Sequence, residues 1–314
     1  MKSVFIDGSA GTTGLRIYER LRDRKDIELI ILDDEHRKDP EYIKDAIFRS
    51  DITFLCLPDA AAIEAVELAE GSDTVIIDPS TAHRTDDAWI YGFPELNPGQ
   101  RAKIASSKRI TNPGCYATGF ISIAAPMIMS GMMSDDFPIS AFAVSGYSGA
   151  GNKAIAVYEG PEKPEDFNAP REYALSQMHK HIPEMQKISG LKRKPLFSPI
   201  VDDYYAGMFV TIPFYTDMLN GVNGPDDVRK MFEDHYHGER FIKVMPKAAE
   251  DESSGFISAN TLAGRDILEL FVTGNEERIV VTTRFDNLGK GASGAAIQNM
   301  NIVMGVDEAC GLVL

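Results

Sequence analysis

The sequence predicts an α/β protein: a Rossmann-type, doubly wound parallel sheet, followed by an α+β domain built on a mixed or antiparallel sheet. Three observations predict it. A glycine-rich turn joins the first apolar strand to the first helix. Strands and helices then alternate through the first third of the chain, the pattern of a parallel sheet covered on both faces. Beyond the middle, apolar segments follow one another with a single polar, helix-like segment among them, as in an antiparallel sheet.

With 314 residues, 44% of them hydrophobic and 25% charged, the chain is long enough for two soluble domains. Its net charge of −15 argues against nucleic acid or an anionic membrane surface as a partner. An anionic substrate would have to be met by local cations against that field. The longest apolar run, Ala117 to Met133, is broken by Pro126 and by glycines and serines, so no membrane span is expected. Lys2 and Ser3 run straight into a strand, so no leader peptide is expected either. Cys56, Cys115 and Cys310 lack metal-type spacing and are odd in number, which points to reduced thiols in a cytoplasm.

In chain order, Ser3 to Asp7 reads as a strand, and Gly8-Ser9-Ala10-Gly11-Thr12-Thr13-Gly14 as the turn. Leu15 to Arg22 reads as a helix, and Ile27 to Leu32 as the second strand. Glycines let the backbone approach a pyrophosphate, whose charge the helix N-terminus then meets. The spacing is G-x-x-G-x-x-G rather than the commoner G-x-G-x-x-G. Asp33, after the second strand, is placed to hold a ribose 2′-hydroxyl and favours NAD, whereas Arg37 and Lys38 can hold a 2′-phosphate and favour NADP. Strands at Ile52 to Leu57 and Thr74 to Ile77 end in proline turns, Leu57-Pro58-Asp59 and Asp78-Pro79-Ser80, around an alanine-rich helix, Ala60 to Glu70. Cys56 lies inside a strand as a core residue. Arg84, in the loop after the last of these strands, is placed to meet an anionic group or to be an ordinary surface arginine.

The segment Thr111-Asn112-Pro113-Gly114-Cys115 organises the chemistry. Arg109 and Ile110 end a strand, Asn-Pro-Gly is a turn, and Tyr116 to Met129 is apolar enough for a buried helix. Cys115 thus stands at the positive end of a helix dipole, where a thiol is more readily ionised. After a strand at Ser140 to Val144, the glycine-rich stretch 145–153 reads as a loop that offers N–H groups and Lys153 to an anion. His179 and His181 precede a helix that starts near Pro183. An extended lead-in would turn both imidazoles to one side, as acid/base partners for the thiol. No Cys, Asp or Glu cluster accompanies them, so no metal site is expected. Further strands are expected at Tyr205 to Pro213, Ile267 to Thr273 and Arg278 to Arg284. Helices are expected at Asp226 to Tyr236 and Ala295 to Met304, the last returning to the first domain.

Taken in order, these motifs resemble the shorter type of N-acetyl-gamma-glutamyl-phosphate reductase, in the semialdehyde dehydrogenase superfamily. The resemblance runs through Gly8 to Gly14, Leu57-Pro58-Asp59, Asp78-Pro79-Ser80 and Tyr91 to Leu96. It continues through Asn112 to Thr118, Ser145 to Gly151, His179 to Glu184 and Asn287 to Asn301. It implies NADPH-dependent reductive dephosphorylation of N-acetyl-L-glutamyl 5-phosphate to the 5-semialdehyde, in arginine biosynthesis. Cys115 would be the nucleophile, and the acid/base would be one of His179 and His181. Arg84, Ser148, Lys153, Tyr173 and Glu184 would contact substrate. Gly8, Ser9, Gly11, Thr12, Thr13, Gly14, Asp33, Arg37, Lys38, Pro58, Asn287 and Gly289 would hold the cofactor.

The expected division is a dinucleotide-binding domain at 1–113, a catalytic and dimerisation domain at 114–287, and a returning helix at 288–314. A homodimer or homotetramer is expected. Related acyl-phosphate reductases, acting on a carrier-bound aminoadipyl or glutamyl phosphate or on aspartyl phosphate, share this chemistry. A Cys–His acyltransferase or a dinucleotide sensor would share only part of it.

Overall fold

A computed structural model describes residues 1–249 and 254–314. The chain divides into two compact units, Met1–Gly114 with Ala292–Val313, and Cys115–Gly291 with Leu314.

The first unit is a six-stranded, wholly parallel sheet. Its elements are β1 (Lys2–Asp7), α1 (Thr12–Leu21), β2 (Ile27–Ile30), α2 (Pro40–Arg49), β3 (Ile52–Leu55) and α3 (Asp59–Leu68). They continue with β4 (Val75–Asp78), β5 (Ile90–Tyr91), α4 (Gln100–Ser106) and β6 (Arg109–Thr111). The strand order is β2-β1-β3-β4-β6-β5. Because β2 and β3 flank β1 on opposite sides, the connections diverge at the carboxyl end of β1, the place where such sheets take ligands. One face packs Ile17, Leu21 and Ile104 with Ile297 and Met300 of the helix Gly294–Met304. The other face packs Ala46, Ile47 and Ala65 from α2 and α3. The sheet is therefore doubly wound. Sequence patterning misses α2 and α4, which are short, ten and seven residues long. Asp39 caps α2 by accepting from Glu41 N, with Pro40 in the first turn, a start signal legible in hindsight.

The second unit holds α5 (Cys115–Met129), β7 (Ser140–Gly146), α6 (Asn152–Glu159), β8 (Arg171–Glu172), α7 (Ile182–Ser189), β9 (Leu196–Asp202) and β10 (Met208–Tyr215). Next come α8 (Pro225–His235), β11 (Ile242–Val244), β12 (Leu268–Gly274) and β13 (Arg278–Phe285). The sheet order is β11-β12-β13-β10-β7-β9-β8. It is mixed: β10, β12 and β13 are antiparallel as their alternation predicts, but β7–β9 and β11–β12 pair in parallel. A parallel pair needs a crossover, and the long excursion between β7 and β9 through α6 and α7 supplies it.

Helix α5 packs flat on β10 and β13 and is buried along nearly its whole length. A methyl at Gly119 would stand 2.6 Å from Val210 Cγ2, 2.8 Å from Thr283 Oγ1 and 2.9 Å from Phe285 Cε1, so the glycine sets how closely helix and sheet approach. Pro126, inside α5, has no N–H to give the carbonyl of Ser122 one turn earlier. The Tyr236 hydroxyl donates to that carbonyl instead, at 2.7 Å.

In a helix interior, alanine normally gains about 1 kcal/mol over glycine. At Gly119 the overpacking cost of about 1–3 kcal/mol should outweigh it. Gly119→Ala is therefore expected to lower the melting temperature, read by circular dichroism, where propensity alone predicts a rise.

Candidate active site and dinucleotide cleft

In the first unit, a cleft of about 360 Å³ opens at the carboxyl end of β1 and is lined by Asp7, Gly8, Ser9, Asp34, Arg37 and Lys38 among others. Gly8 has φ of 79°, and a Cβ there would lie 2.2 Å from the Cys56 carbonyl oxygen. A Cβ at Gly14 would lie 2.4 Å from the Gly8 carbonyl oxygen. Only glycine allows so tight a turn. Gly11 is the N-cap of α1 and makes no side-chain cap hydrogen bond, and a helix start of this kind, at Thr12 and Thr13, suits an anion. These features fit a dinucleotide pyrophosphate.

The charged residues after β2 do not share one position. Asp33 lies in the turn beyond β2 and accepts from the His36 backbone N–H at 2.9 Å, with His36 Nδ1 at 2.6 Å. That carboxylate, held below its ordinary range by the His36 backbone and then the His36 ring, does not line the cleft. Arg37 and Lys38 do, with Arg37 Nε 3.0 Å from Asp34. Pro58 is the N-cap of α3. Asp7 was not among the expected residues, yet it lines the cleft while only 6% exposed. Burial pushes its carboxyl up to about 6, and the Gly8 backbone N–H offsets part of this. Cys56, beside it, is raised by burial and by the charges of Asp7 and Asp78, which leaves an inert thiol.

Arg84 is not a surface arginine. It is buried and donates from a terminal nitrogen to the Pro79 carbonyl at 2.6 Å. Its turn is stiffened by Asp78, which accepts from Ser80 N and Ser80 Oγ at 2.8 Å and holds His83 Nδ1 at 2.7 Å. Asn112, in the turn before Cys115, donates to the Ala292 carbonyl at 3.0 Å.

In the second unit, Cys115 opens α5 as a free, half-buried thiol. A Cβ on Gly291 would come within 3.1 Å of Cys115 Cβ, so the glycine keeps the space beside the sulfur clear. Tyr116, the next residue, is the centre of an aromatic cluster. Its ring lies 5.6 Å from His179, 5.9 Å from His181 and 5.2 Å from Phe197. The Tyr173 hydroxyl donates to Tyr116 Oη at 3.0 Å. Burial raises both phenols; the charge of Cys115 adds to the rise in each, which places that sulfur electrostatically beside them. Both therefore stay protonated at neutral pH.

The histidines do meet, their ring centroids 4.8 Å apart, but not through an extended lead-in. His181 has φ −85° and ψ −11°, and its backbone N–H donates to His179 Nδ1 at 3.1 Å, closing a turn. An extended strand would have left that N–H without a local acceptor. The bond puts the neutral His179 proton on Nε2. Burial, reinforced by Lys180, pushes His179 down to about 4, so it is neutral above pH 5. His181 is buried at the N-cap of α7, and Glu184 is buried in its first turn. The connecting segment is strained: Ala174 and Gln177 have φ of 53° and 58°. Each left-handed residue costs about 1 kcal/mol or more. Gln177 offsets this by donating to Phe197 O and accepting from Phe197 N, both at 2.9 Å.

The glycine-rich stretch 145–153 is not a loose loop. It forms a 3₁₀ turn, Tyr147–Ala150, and then enters α6. Ser148 is buried and accepts from Asn287 Nδ2 at 3.0 Å, while Asn287 Oδ1 accepts from Gly207 N at 2.8 Å. Lys153 is exposed on α6. Asn287 and Gly289 are thus buried parts of the second unit, and Gly289 opens a π-helical turn, Gly289–Ser293. Among the described residues no group of three or more His, Cys, Asp or Glu side chains is placed to hold a metal ion.

Residues 3–104 match the NAD-binding domain of the semialdehyde dehydrogenases, and residues 115–287 match their dimerisation domain. The chain is 44% identical to N-acetyl-gamma-glutamyl-phosphate reductase 2 of Nostoc sp. over 98% of both chains. This chain belongs to the N-acetyl-gamma-glutamyl-phosphate reductase family. A Burkholderia ambifaria reductase of the family is 42% identical, over 98% of this chain and 97% of its own. The fold is also that of aspartate semialdehyde dehydrogenase II from Vibrio cholerae, with a TM-score of 0.73 over 97% of this chain and 98% of that one at 17% identity. The sequence expectation of this family, and of an α/β fold with a second mixed-sheet domain, therefore holds.

Asp7 binds its proton more tightly folded than unfolded, so stability falls as pH rises from about 4 to 6 and stays reduced above that. The cost above pH 6 is about 2–3 kcal/mol. Asp7→Asn is expected to recover about 1–3 kcal/mol at pH 8 and nothing at pH 4 in denaturant unfolding.

Proposed function

We propose that this chain catalyses NADPH-dependent reductive dephosphorylation of N-acetyl-L-glutamyl 5-phosphate to N-acetyl-L-glutamate 5-semialdehyde, in cytoplasmic arginine biosynthesis. One observation carries the reading: a half-buried cysteine at a helix N-terminus, whose neighbour Tyr116 packs on a half-buried and a buried imidazole, in a chain 44% identical to such a reductase. Cys115 Sγ attacks the acyl carbon, the C–O bond to phosphate breaks, and phosphate leaves from a thioester. The soft thiolate both attacks and later departs well, which a serine alkoxide does not. The first-turn N–H groups of α5 face the carbonyl oxygen as negative charge develops on it. The Gly8–Gly14 turn would hold the pyrophosphate of NADPH, which when bound would supply the hydride for the thioester. The resulting thiohemiacetal collapses as one of the two histidines takes the proton from its oxygen, C=O re-forms, the C–S bond breaks, and aldehyde leaves with the Cys115 thiolate restored. His179, neutral with its proton on Nε2, can donate a hydrogen bond to that oxygen, and His181 is the other candidate for the proton transfer.

Arg37 and Lys38 on the cleft favour NADPH, and Asp33, turned toward His36, does not oppose a 2′-phosphate. Tyr173 and Glu184 stand with the histidines and suit substrate contacts. The reading gives Arg84, Ser148 and Lys153 substrate roles, and Pro58, Asn287 and Gly289 cofactor roles.

The second sheet buries one face under α5 and α8, whereas Phe142, Leu196 and Tyr215 on the other are 42%, 64% and 62% exposed. Within a unit that matches a dimerisation domain, this open face suits the meeting of two copies, giving a homodimer or a dimer of dimers.

The deciding assay is phosphate-dependent reduction of NADP with N-acetylglutamate semialdehyde, run beside aspartate semialdehyde. Preference for the aspartyl compound would overturn the substrate assignment, and absence of any cofactor absorbance change would overturn the reductase. Cys115→Ser is expected to lose nearly all turnover while retaining NADPH binding by fluorescence. Arg37→Ala with Lys38→Ala is expected to raise KM for NADPH about tenfold or more and leave that for NADH nearly unchanged.

A further inference from the structure

Among the described residues of the second unit, Tyr116 touches each group the proposed chemistry draws from the segment before α7, namely Tyr173, His179 and His181. It is 4% exposed and follows Cys115 directly, so its backbone is fixed with the first turn of α5. His179, His181 and Tyr173 come instead from an irregular segment with two left-handed residues, Ala174 and Gln177, which cannot hold its shape unaided. His179 and His181 lie against the Tyr116 ring, His179 also meets Phe197 at 5.3 Å, and the ring of Tyr173 is 6.4 Å away. The Tyr116 hydroxyl ties in the rest, bonded to Tyr173 at 3.0 Å and to the buried hydroxyl of Ser145 at the end of β7.

We propose that Tyr116 is a positioning residue: its ring sets where the two imidazoles stand relative to Cys115, and its hydroxyl sets where Tyr173 points. The inference rests on the reductase reading for its kinetic consequences but not for its structural ones. The division of labour follows from chemistry. Ring edges and faces position imidazoles by packing and exclude water from them, whereas only the hydroxyl can orient another phenol. The ionisable groups around His179 include Lys180, His181, Tyr116 and Tyr173. Of these, Tyr116 contributes exclusion of water rather than charge.

Two variants separate ring from hydroxyl. Tyr116→Phe keeps the ring, so His179 should titrate as in the parent, near 4, by NMR of histidine-labelled protein. Its kinetic defect should fall mainly on KM for the acyl compound. Tyr116→Leu opens the cluster to water, so His179 should titrate higher, the acid limb of the kcat profile should move up in pH, and kcat should fall about a hundredfold with NADPH affinity unchanged. An unaltered histidine titration in a folded Tyr116→Leu protein, or identical behaviour of the two variants, would overturn the proposal. If Tyr116→Leu does not fold, Tyr116→Phe, Tyr173→Phe and the double variant decide. Overlapping effects on KM support the hydroxyl tie, and additive effects overturn it. A parent protein without reductase activity whose histidine titration still moves in Tyr116→Leu would remove the functional reading and leave the positioning role standing.

Discussion

The close approach of α5 to the sheet at Gly119 is the contact on which the second unit depends. A helix normally stands off a sheet by the depth of its side chains. Here one position has none, and the backbone settles between Val210, Thr283 and Phe285. That seat fixes the first turn, and so the height of Cys115 and the plane of the Tyr116 ring. Gly291 acts in the same sense from the other side, by leaving room at the sulfur. Cys115 is thus placed by two absences of side chain, which suits a thiol that stays partly exposed among buried neighbours.

Electrostatics are handled locally. A chain of net charge −15 that takes phosphorylated ligands must gather N–H groups and a few cations at particular points. The start of α1 and the Arg37–Lys38 pair do this in the first unit. Asp7, buried at the same cleft, runs against that logic and carries a cost in stability, the kind of local conflict expected at a binding site. In the second unit neutrality does similar work. The two phenols remain uncharged at physiological pH, so no phenolate opposes an anion there, and neutral His179 offers an N–H in place of a charge.

Much of this was legible in the chain. Glycine spacing and alternation gave the parallel sheet, and the Asn-Pro-Gly turn ahead of an apolar run gave the helix that begins at Cys115. Less legible were closing contacts, near or far along the chain, that no periodicity announces. The approach of His179 and His181 was foreseen, but its cause was not, because a turn closed by a backbone N–H on an imidazole nitrogen has no periodicity to betray it. Glycines at 146, 149 and 151 suggested looseness, yet Ser148 is locked by Asn287, far along the chain. For Arg84 the chain leaves an anion contact and a surface position both open, because no pattern shows that its guanidinium turns back onto the Pro79 carbonyl. Tyr116 was overlooked beside a more conspicuous cysteine, although its position in the helix's first turn was a usable signal.

The proline in α5 ties two distant positions into one evolutionary unit. Pro126 strips the Ser122 carbonyl of its helical donor, and Tyr236, reaching in from just beyond α8, answers it. The proline without the tyrosine is a liability, because the buried Ser122 carbonyl would lose the donor that replaces its helical one. Their histories should therefore be epistatic. A lineage that regains an N–H at 126 frees 236 to drift toward phenylalanine, whereas one that keeps the proline cannot readily give up the tyrosine.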